Sequence, residues 1–546
     1  VTTDQNPGIV NGQSVHRNEF GISKGTFWSP RGNLLAFYRM DETMVTDYPL
    51  VDVTERVAKV NHIKYPMAGM TSHQVTVGIF NPANKQTVFV KTGTPAEQYL
   101  TNIAWSPDEK SLFIAVLNRD QNHMWLNEYD VNSGNFLRTL FEEQNDRYVE
   151  PLHPMVFVPG NDNQFIWQSQ RDGYNHLYLY NKNGQLIKQL TTGLWVVTDF
   201  AGFDEEAKGI FYTSTATSPL ENQLYYLNLK SGKTSRLTTQ KGVHFPVIRK
   251  DGKFFISRFS NPETASRTIL ASLNGKTNKT IHEDVNPLTD YKLGETTVFT
   301  IKSDDNTDLY CRLIKPADFD PAKKYPVIVY VYGGPHAQLV TGDWLNGANL
   351  YMHYLAEKGY IVFTLDNRGS SNRGFEFESV IHRNLGVAEM ADQMKGVEYL
   401  KSLPYVDASR MAVDGWSYGG FMAITLKLNH PEIFKVATAG GPVIDWKYYE
   451  VMYGERYMDT PEQNPEGYEH ASLLNQVDKL QGKLLIIHGA QDNTVVWQNS
   501  QQFLIRCIEK QKQVDYFVYP THEHNVRGID RAHLFRKLSE YYDLNL

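Results

Sequence analysis

Several short stretches of this chain put hydroxyl, carboxylate and imidazole side chains where acyl transfer needs them. Gly415-Trp416-Ser417-Tyr418-Gly419 fits the Gly-x-Ser-x-Gly nucleophile elbow. Its glycines permit a tight strand-to-helix turn that lifts the serine above a sheet and aims the following backbone N–H at an oxyanion. A serine hydroxyl is a weak nucleophile until a base takes its proton, and a carboxylate must orient that base. On a hydrolase sheet the partners follow in the chain order Ser, Asp, His. Asp492, in HGAQDNTV, is the candidate acid, and His524 or His522, two residues apart in PTHEHN, is the candidate base. Spacing alone leaves that choice open. His488, inside a strand, and His533, inside a helix, read as structural. The N–H of Tyr418 is one oxyanion donor. Tyr332, in VYGGPHA, is either a second donor or a packed strand-end tyrosine. Trp446, Tyr449 and Tyr453 follow a helical spacing that suits either a core stripe or a flat apolar box.

These residues must be carried by a sheet, and the second half of the chain, 286–546, supplies one. Buried-looking strands such as YPVIVYVYGG, YIVFTLDNRGS, RMAVDGWS, KVATAGG, KLLIIHGAQD and VDYFVYP alternate with segments of helical period, AEMADQMKGVEYLKSL and SYGGFMAITLKLN among them. Strand and helix in alternation predict an α/β domain with a mainly parallel, doubly wound sheet, whose chemistry sits at the carboxyl ends of its strands.

Residues 1–285 have another grammar: short runs rich in Val, Ile, Tyr, Phe and Thr, punctuated by PRGN, PDEK, NSGN, RDGY and KSGK. One unit recurs as FWSPRGNLLAFYRM, AWSPDEKSLFIAVL, VFVPGNDNQFIWQS, GFDEEAKGIFYTS and VIRKDGKFFISRF. Its return every 45–50 residues from Trp105 onward predicts an all-β propeller of about five to six blades. The first unit carries a long insertion through KYPMAGMTSHQVTVGIF. A propeller of more blades would need residues before Val1.

Bulk composition narrows the field. At 546 residues the chain exceeds one core, and 54 basic against 61 acidic residues give a net charge of -7 with no basic block to meet a phosphate backbone. Nucleic acid is not an expected partner. No apolar stretch is long enough for a transmembrane segment, and VTTDQNPGIVNGQ lacks the regions of a signal peptide. The initial Val suggests a processed or truncated chain. The two cysteines, Cys311 and Cys507, read as unpaired or buried thiols. No metal cluster, phosphate loop or dinucleotide fingerprint stands out, so no cofactor is implied.

With GWSYGG, DNRGSSNRG, HGAQD and PTHEHN in order, the chain closely resembles the dipeptidyl peptidase IV branch of the prolyl oligopeptidase family, along essentially its whole length. The resemblance implies a propeller joined to an α/β-hydrolase domain, a homodimer, and a serine exopeptidase that releases X-Pro or X-Ala dipeptides from free N-termini by an acyl-enzyme route. It implies a periplasmic or extracellular location. It assigns the base to His524 and the second oxyanion donor to Tyr332. Its proline pocket maps onto Tyr418, Val443, Trp446, Tyr449, Tyr453 and Val495, largely through GGPVIDWKYYEVMYGERYM.

The family binds the substrate ammonium with two adjacent glutamates on a short propeller helix. Here VHRNEFG offers Glu19 with Asn18 beside it. Thr494 stands where the family has an asparagine near the substrate carbonyl, a place Arg456 is expected to support. The family's earlier blades and its substrate-facing arginine lie outside this sequence, which implies a truncated or proteolysed chain. Rival readings are a prolyl tripeptidyl or oligopeptidase with the same triad and another ruler, a lipase or esterase, and a catalytically weak propeller-hydrolase binding scaffold. The propeller and the aromatic box speak against a lipid substrate.

Overall fold

The computed structural model describes residues 2, 4–273 and 275–546. Five antiparallel sheets follow one another through residues 9–283, four of them plain four-stranded meanders. Each recurring sequence unit is the first hairpin of a sheet: AWSPDEKSLFIAVL pairs Tyr99–Trp105 with Ser111–Leu117. The turn forms because Ser106 Oγ accepts the N–H groups of Lys110 and Ser111 at 3.1 and 2.9 Å, while Glu109 takes a positive φ of 64°. The NSGN-type turns join the third strand to the fourth, where Asp130 accepts the N–H of Ser133 at 2.8 Å. The domain is propeller-like, with five sheets among the described residues.

The insertion lies earlier than the sequence suggested. QVTVGIF belongs to Gln74–Asn81, a regular strand of the first sheet paired with Leu35–Asp41. The extra segment is instead a hairpin arm, Asp47–Asp52 paired with Lys59–Lys64 and free of the five sheets. Only Leu50 of these two strands is buried, as suits a ribbon with both faces turned from a core.

The fifth sheet ends at Glu283 and an eight-stranded sheet begins at Thr296. Its strands are β1 (Thr296–Lys302), β2 (Asp308–Ile314), β3 (Tyr325–Tyr330), β4 (Ile361–Leu365), β5 (Val406–Trp416), β6 (Phe434–Gly440), β7 (Lys483–Gly489) and β8 (Asp515–Tyr519). Their spatial order is β1-β2-β4-β3-β5-β6-β7-β8, antiparallel at β1-β2 and β2-β4 and parallel from β4 onward. Strands buried on both faces, such as IVFTL with every residue buried, need helices on both sides. The main helices are α1 (Leu350–Glu357), α2 (Val387–Ser402), α3 (Tyr418–Asn429), α4 (Val451–Met458), α5 (Gln498–Glu509) and α6 (Asp530–Asn545). One apolar cluster joins α2 and α3 to the sheet, and a second joins α1 and α6 to its opposite face. Cys311 and Cys507 are buried and unpaired. Among the described residues no helix is long and apolar enough to cross a membrane.

The two domains share a core at α4. Val451 and Met452 pack into the apolar cluster of the first three β sheets. Gln121 Nε2 donates to the Met452 carbonyl at 2.8 Å, and Arg119 pairs with Glu455 at 2.9 Å. This insertion holds α4 and its Arg456 against the β domain.

Candidate active site

β5 runs directly into α3 through Ser417, whose φ of 63° and ψ of -120° are outside the regions a serine ordinarily occupies. Crowding explains both flanking glycines. A Cβ on Gly415 would come within 2.1 Å of the Gly419 carbonyl oxygen, and one on Gly419 within 2.3 Å of the Val331 oxygen. The elbow is held by the Ser417 N–H, which donates to the Gly440 carbonyl at 2.8 Å.

Asp492 follows β7 and is fully buried. Its Oδ1 accepts the N–H groups of Thr494 and Val495, each at 2.9 Å, and its Oδ2 accepts from His524 Nδ1 at 2.7 Å. Burial pushes this carboxyl up, but hydrogen bonds from His488 and His524 outweigh it and hold the group down at about 2. The carboxylate is therefore ionised throughout the physiological range, and His524 must carry its Nδ1 proton toward it. That leaves Nε2 free to accept. The loop between β8 and α6 is fixed from below, where the Trp416 indole N–H donates to the His524 carbonyl at 2.9 Å.

The geometry separates the two histidines that spacing could not. His522 pairs with Asp530 at 2.9 Å, away from Asp492. His533 bonds the Tyr519 hydroxyl at 2.8 Å, a structural contact as expected. His488 is buried, but it reaches Asp492 Oδ2 at 3.2 Å, a contact that its place inside a strand did not suggest.

Ser417, His524, Tyr332, Trp416, Tyr449 and Thr494 line one cavity of about 470 Å³. Among the described residues no hydrogen bond joins Ser417 Oγ to His524, although both side chains line the same cavity. The Tyr332 ring lies 6.0 Å from the Tyr418 ring, and burial raises its hydroxyl above the usual range. The Tyr418 hydroxyl bonds the buried carboxyl of Glu389, which leaves the Tyr418 backbone N–H at the start of α3.

The aromatic residues converge, though not on one helix face. Trp446 lies in a short 3-10 turn, Tyr449 is extended, and only Tyr453 is in α4. The Trp446 and Tyr453 rings stack at 6.2 Å and 11°, and Trp446 packs against Tyr418 at 5.4 Å and Tyr449 at 5.5 Å. Val443 and Val495 are buried in the same cluster. The result is a buried aromatic cluster beside the elbow, of which Tyr449 reaches the cavity that Ser417 lines.

From the β domain, the turn His16–Asn18 presents Glu19, whose carboxylate accepts Arg456 Nη1 at 2.8 Å. Arg456 is also bound to Glu150 at 3.1 Å and Gln121 at 2.9 Å, so it sits behind Glu19 as its holder. A second carboxylate, Glu450, was not singled out from sequence. It caps α4 by accepting the N–H groups of Met452 and Tyr453 and lies 4.0 Å from Arg17. Burial pushes it up to about 7, opposed by Arg17 and reinforced by Glu19. A glutamate directly after Tyr449, in the segment that carries the aromatic cluster, was the signal available.

The β domain also grips the acid loop. Arg17 Nη2 donates to the Asn493 carbonyl at 2.8 Å, and the Tyr65 hydroxyl to the Thr494 carbonyl at 2.6 Å. From the arm, the Val51 carbonyl accepts Gln491 Nε2 at 2.6 Å and the Tyr48 hydroxyl accepts the Gln498 N–H at 3.2 Å.

Comparison with known proteins places this geometry. The dipeptidyl peptidase IV N-terminal region family matches residues 1–266, and the prolyl oligopeptidase family matches residues 347–546. A Bacteroides ovatus structure assigned to the dipeptidyl aminopeptidase IV type superimposes with a TM-score of 0.97 at 50% identity, covering 100% of this chain and 80% of that one. Porphyromonas gingivalis dipeptidyl peptidase 4 gives 0.94 at 31% identity, with 100% and 78% covered. Human dipeptidyl peptidase 8 is 28% identical over 97% of this chain and 68% of its own length. The chain belongs to the prolyl oligopeptidase family of serine peptidases, in its dipeptidyl peptidase IV branch.

Proposed function

We propose that the protein is a dipeptidyl peptidase that removes X-Pro and X-Ala dipeptides from free N-termini. The observation that carries this reading is the bond to a buried, ionised Asp492 from Nδ1 of His524, which lines the same cavity as Ser417. In this mechanism Ser417 Oγ attacks the substrate carbonyl carbon while His524 Nε2 takes its proton. The negative oxygen that forms is met by the Tyr418 N–H and the Tyr332 hydroxyl. Collapse expels the amine, which receives the proton from His524, and water then repeats the sequence on the acyl-enzyme. A pyrrolidine ring has apolar faces and no N–H, which suits the apolar aromatic wall of Tyr418, Val443, Trp446, Tyr449, Tyr453 and Val495. Glu19, held by Arg456 with Glu450 nearby, is the counter-charge for the substrate ammonium.

A tripeptide-releasing ruler is the second reading. It is favoured by the absence of adjacent glutamates at Asn18-Glu19 and by the withdrawal of Glu19 onto Arg456. Mass spectrometry of products from peptides headed Gly-Pro and Ala-Ala-Pro, free and acetylated, separates the two. Dipeptide products from free but not acetylated peptides support the first; products from acetylated peptides refute an exopeptidase of either length. On family resemblance the enzyme acts as a homodimer in the periplasm or outside the cell, which light scattering of the purified protein and cell fractionation would check.

A further inference from the structure

His488 stands at the end of β7, four residues before Asp492, with no exposed surface. A ring so placed must satisfy both nitrogens within the protein. Nε2 faces the Val495 carbonyl oxygen at 2.8 Å and Asp492 Oδ2 at 3.2 Å. Both are acceptors, so Nε2 carries a proton and shares it between them. Nδ1 meets Ser500 Oγ at 2.7 Å, where the hydroxyl can donate to the neutral ring and so favour that tautomer. Asp492 thus receives four donors: the Thr494 and Val495 amides on Oδ1, and the His524 and His488 rings on Oδ2. Val495 closes the arrangement, since its N–H serves Oδ1 while its carbonyl receives the His488 proton.

We propose that His488, set in its tautomer by Ser500, is a positioning residue that fixes the direction and the basicity of Asp492 Oδ2, and through it the basicity of His524. The proposal rests on the reading of Ser417, His524 and Asp492 as the triad. Two imidazoles competing for one oxygen have a definite consequence. The donor from His488 compensates part of the charge on Oδ2, which weakens the hold of Asp492 on a protonated His524. Without it the imidazolium of His524 is stabilised, and the base loses its proton only at higher pH. Oδ2 is then left with a single donor, His524, so its direction is set only by the ring it is meant to orient. Among the described residues Tyr48 and Tyr65 also face Asp492, and Arg17 holds the adjacent Asn493 carbonyl, all three presented by the β domain.

The test uses the full chain with His488→Phe, which keeps the volume and removes the donor, His488→Gln, whose amide restores an N–H near the Nε2 position, and Ser500→Ala. The pH profiles of kcat and kcat/KM are recorded on Gly-Pro anilide, with thermal unfolding as a check on folding. His488→Phe is expected to lower kcat roughly 10- to 100-fold with little change in KM, and to move the acid limb upward by about half a pH unit. His488→Gln recovers most of both effects, and Ser500→Ala falls between. A folded His488→Phe with the wild-type acid limb and kcat within about threefold overturns the proposal. Should that variant fail to fold, Ser500→Ala decides, and a wild-type profile there overturns it equally. Activity that survives Ser417→Ala would instead remove the triad reading, and this proposal with it.

Discussion

Replacing Asp492 by Asn is the sharpest probe of the site, because the structure dictates how the amide must sit. The carboxylate takes two backbone N–H groups on Oδ1 at 2.9 Å each and two imidazoles on Oδ2 at 2.7 and 3.2 Å. Turning the amide NH2 toward Thr494 and Val495 would leave two buried backbone donors unpaired, at a cost of about 2 to 6 kcal/mol. The amide oxygen therefore stays on the loop and the NH2 group faces His524. His524 must then offer a lone pair from Nδ1, which moves its proton to Nε2, where the base is needed. The same tautomer inversion in a serine protease triad costs roughly 10⁴-fold in kcat, equivalent to about 5.5 kcal/mol at 1.36 kcal/mol per decade. A loss of that size in kcat/KM on Gly-Pro anilide, with fluorophosphonate labelling slowed in proportion, is the expected result. Stability follows as well. A carboxyl held at about 2, below its ordinary value near 4, contributes about 2 kcal/mol that is present above pH 4 and lost as the pH falls through 2. The melting temperature of Asp492→Asn should lie below wild type at pH 7, with the gap closing toward low pH. A variant within tenfold of wild-type kcat/KM would refute the tautomer reasoning.

Three further outcomes are expected. Tyr332→Phe removes one oxyanion donor and should lower kcat roughly 100-fold with KM little changed, as measured by steady-state kinetics on the same anilide; an unchanged kcat removes Tyr332 from the site. Glu19→Gln should raise KM for free-amine peptides about 10- to 100-fold, the loss of one charge-assisted bond, and leave fluorophosphonate labelling of Ser417 at the wild-type rate. His336 pairs with Glu150 of the β domain at 2.7 Å, and the Glu150 charge raises it to about 9. A raised histidine stabilises fully below its ordinary value near 6.5 and loses that contribution as the pH rises through 9. Melting curves of wild type should therefore fall more steeply above pH 8 than those of His336→Gln.

What the sequence disclosed was local, and what it hid was mutual. The elbow is legible because Gly415 and Gly419 are demanded by the backbone of the turn itself, and Asp492 because strand ends on such a sheet are where chemistry gathers. His522 and His524 could not be told apart by spacing, since the distinction lies in which ring rests on a carboxylate from another loop. Trp446, Tyr449 and Tyr453 were legible as a group but not as a shape. Their spacing mimics a helix, whereas the chain turns sharply at Trp446 and enters α4 only at Val451. His488 and Glu450 escaped because each has an adequate local role, as a strand residue and as a helix cap. The hairpins of the β domain were readable from turn chemistry, while the arm Asp47–Lys64 was not, having no core of its own to pattern it.

That arm gives the molecule a property its triad alone would lack. The arm holds the flanks at 491 and 498, and Arg17 and Tyr65 beside it hold the carbonyls of 493 and 494, so the stretch of chain bearing Asp492 is moored on both sides by the other domain. Loosening those moorings would disturb the direction of the carboxylate without altering a single group that meets the substrate.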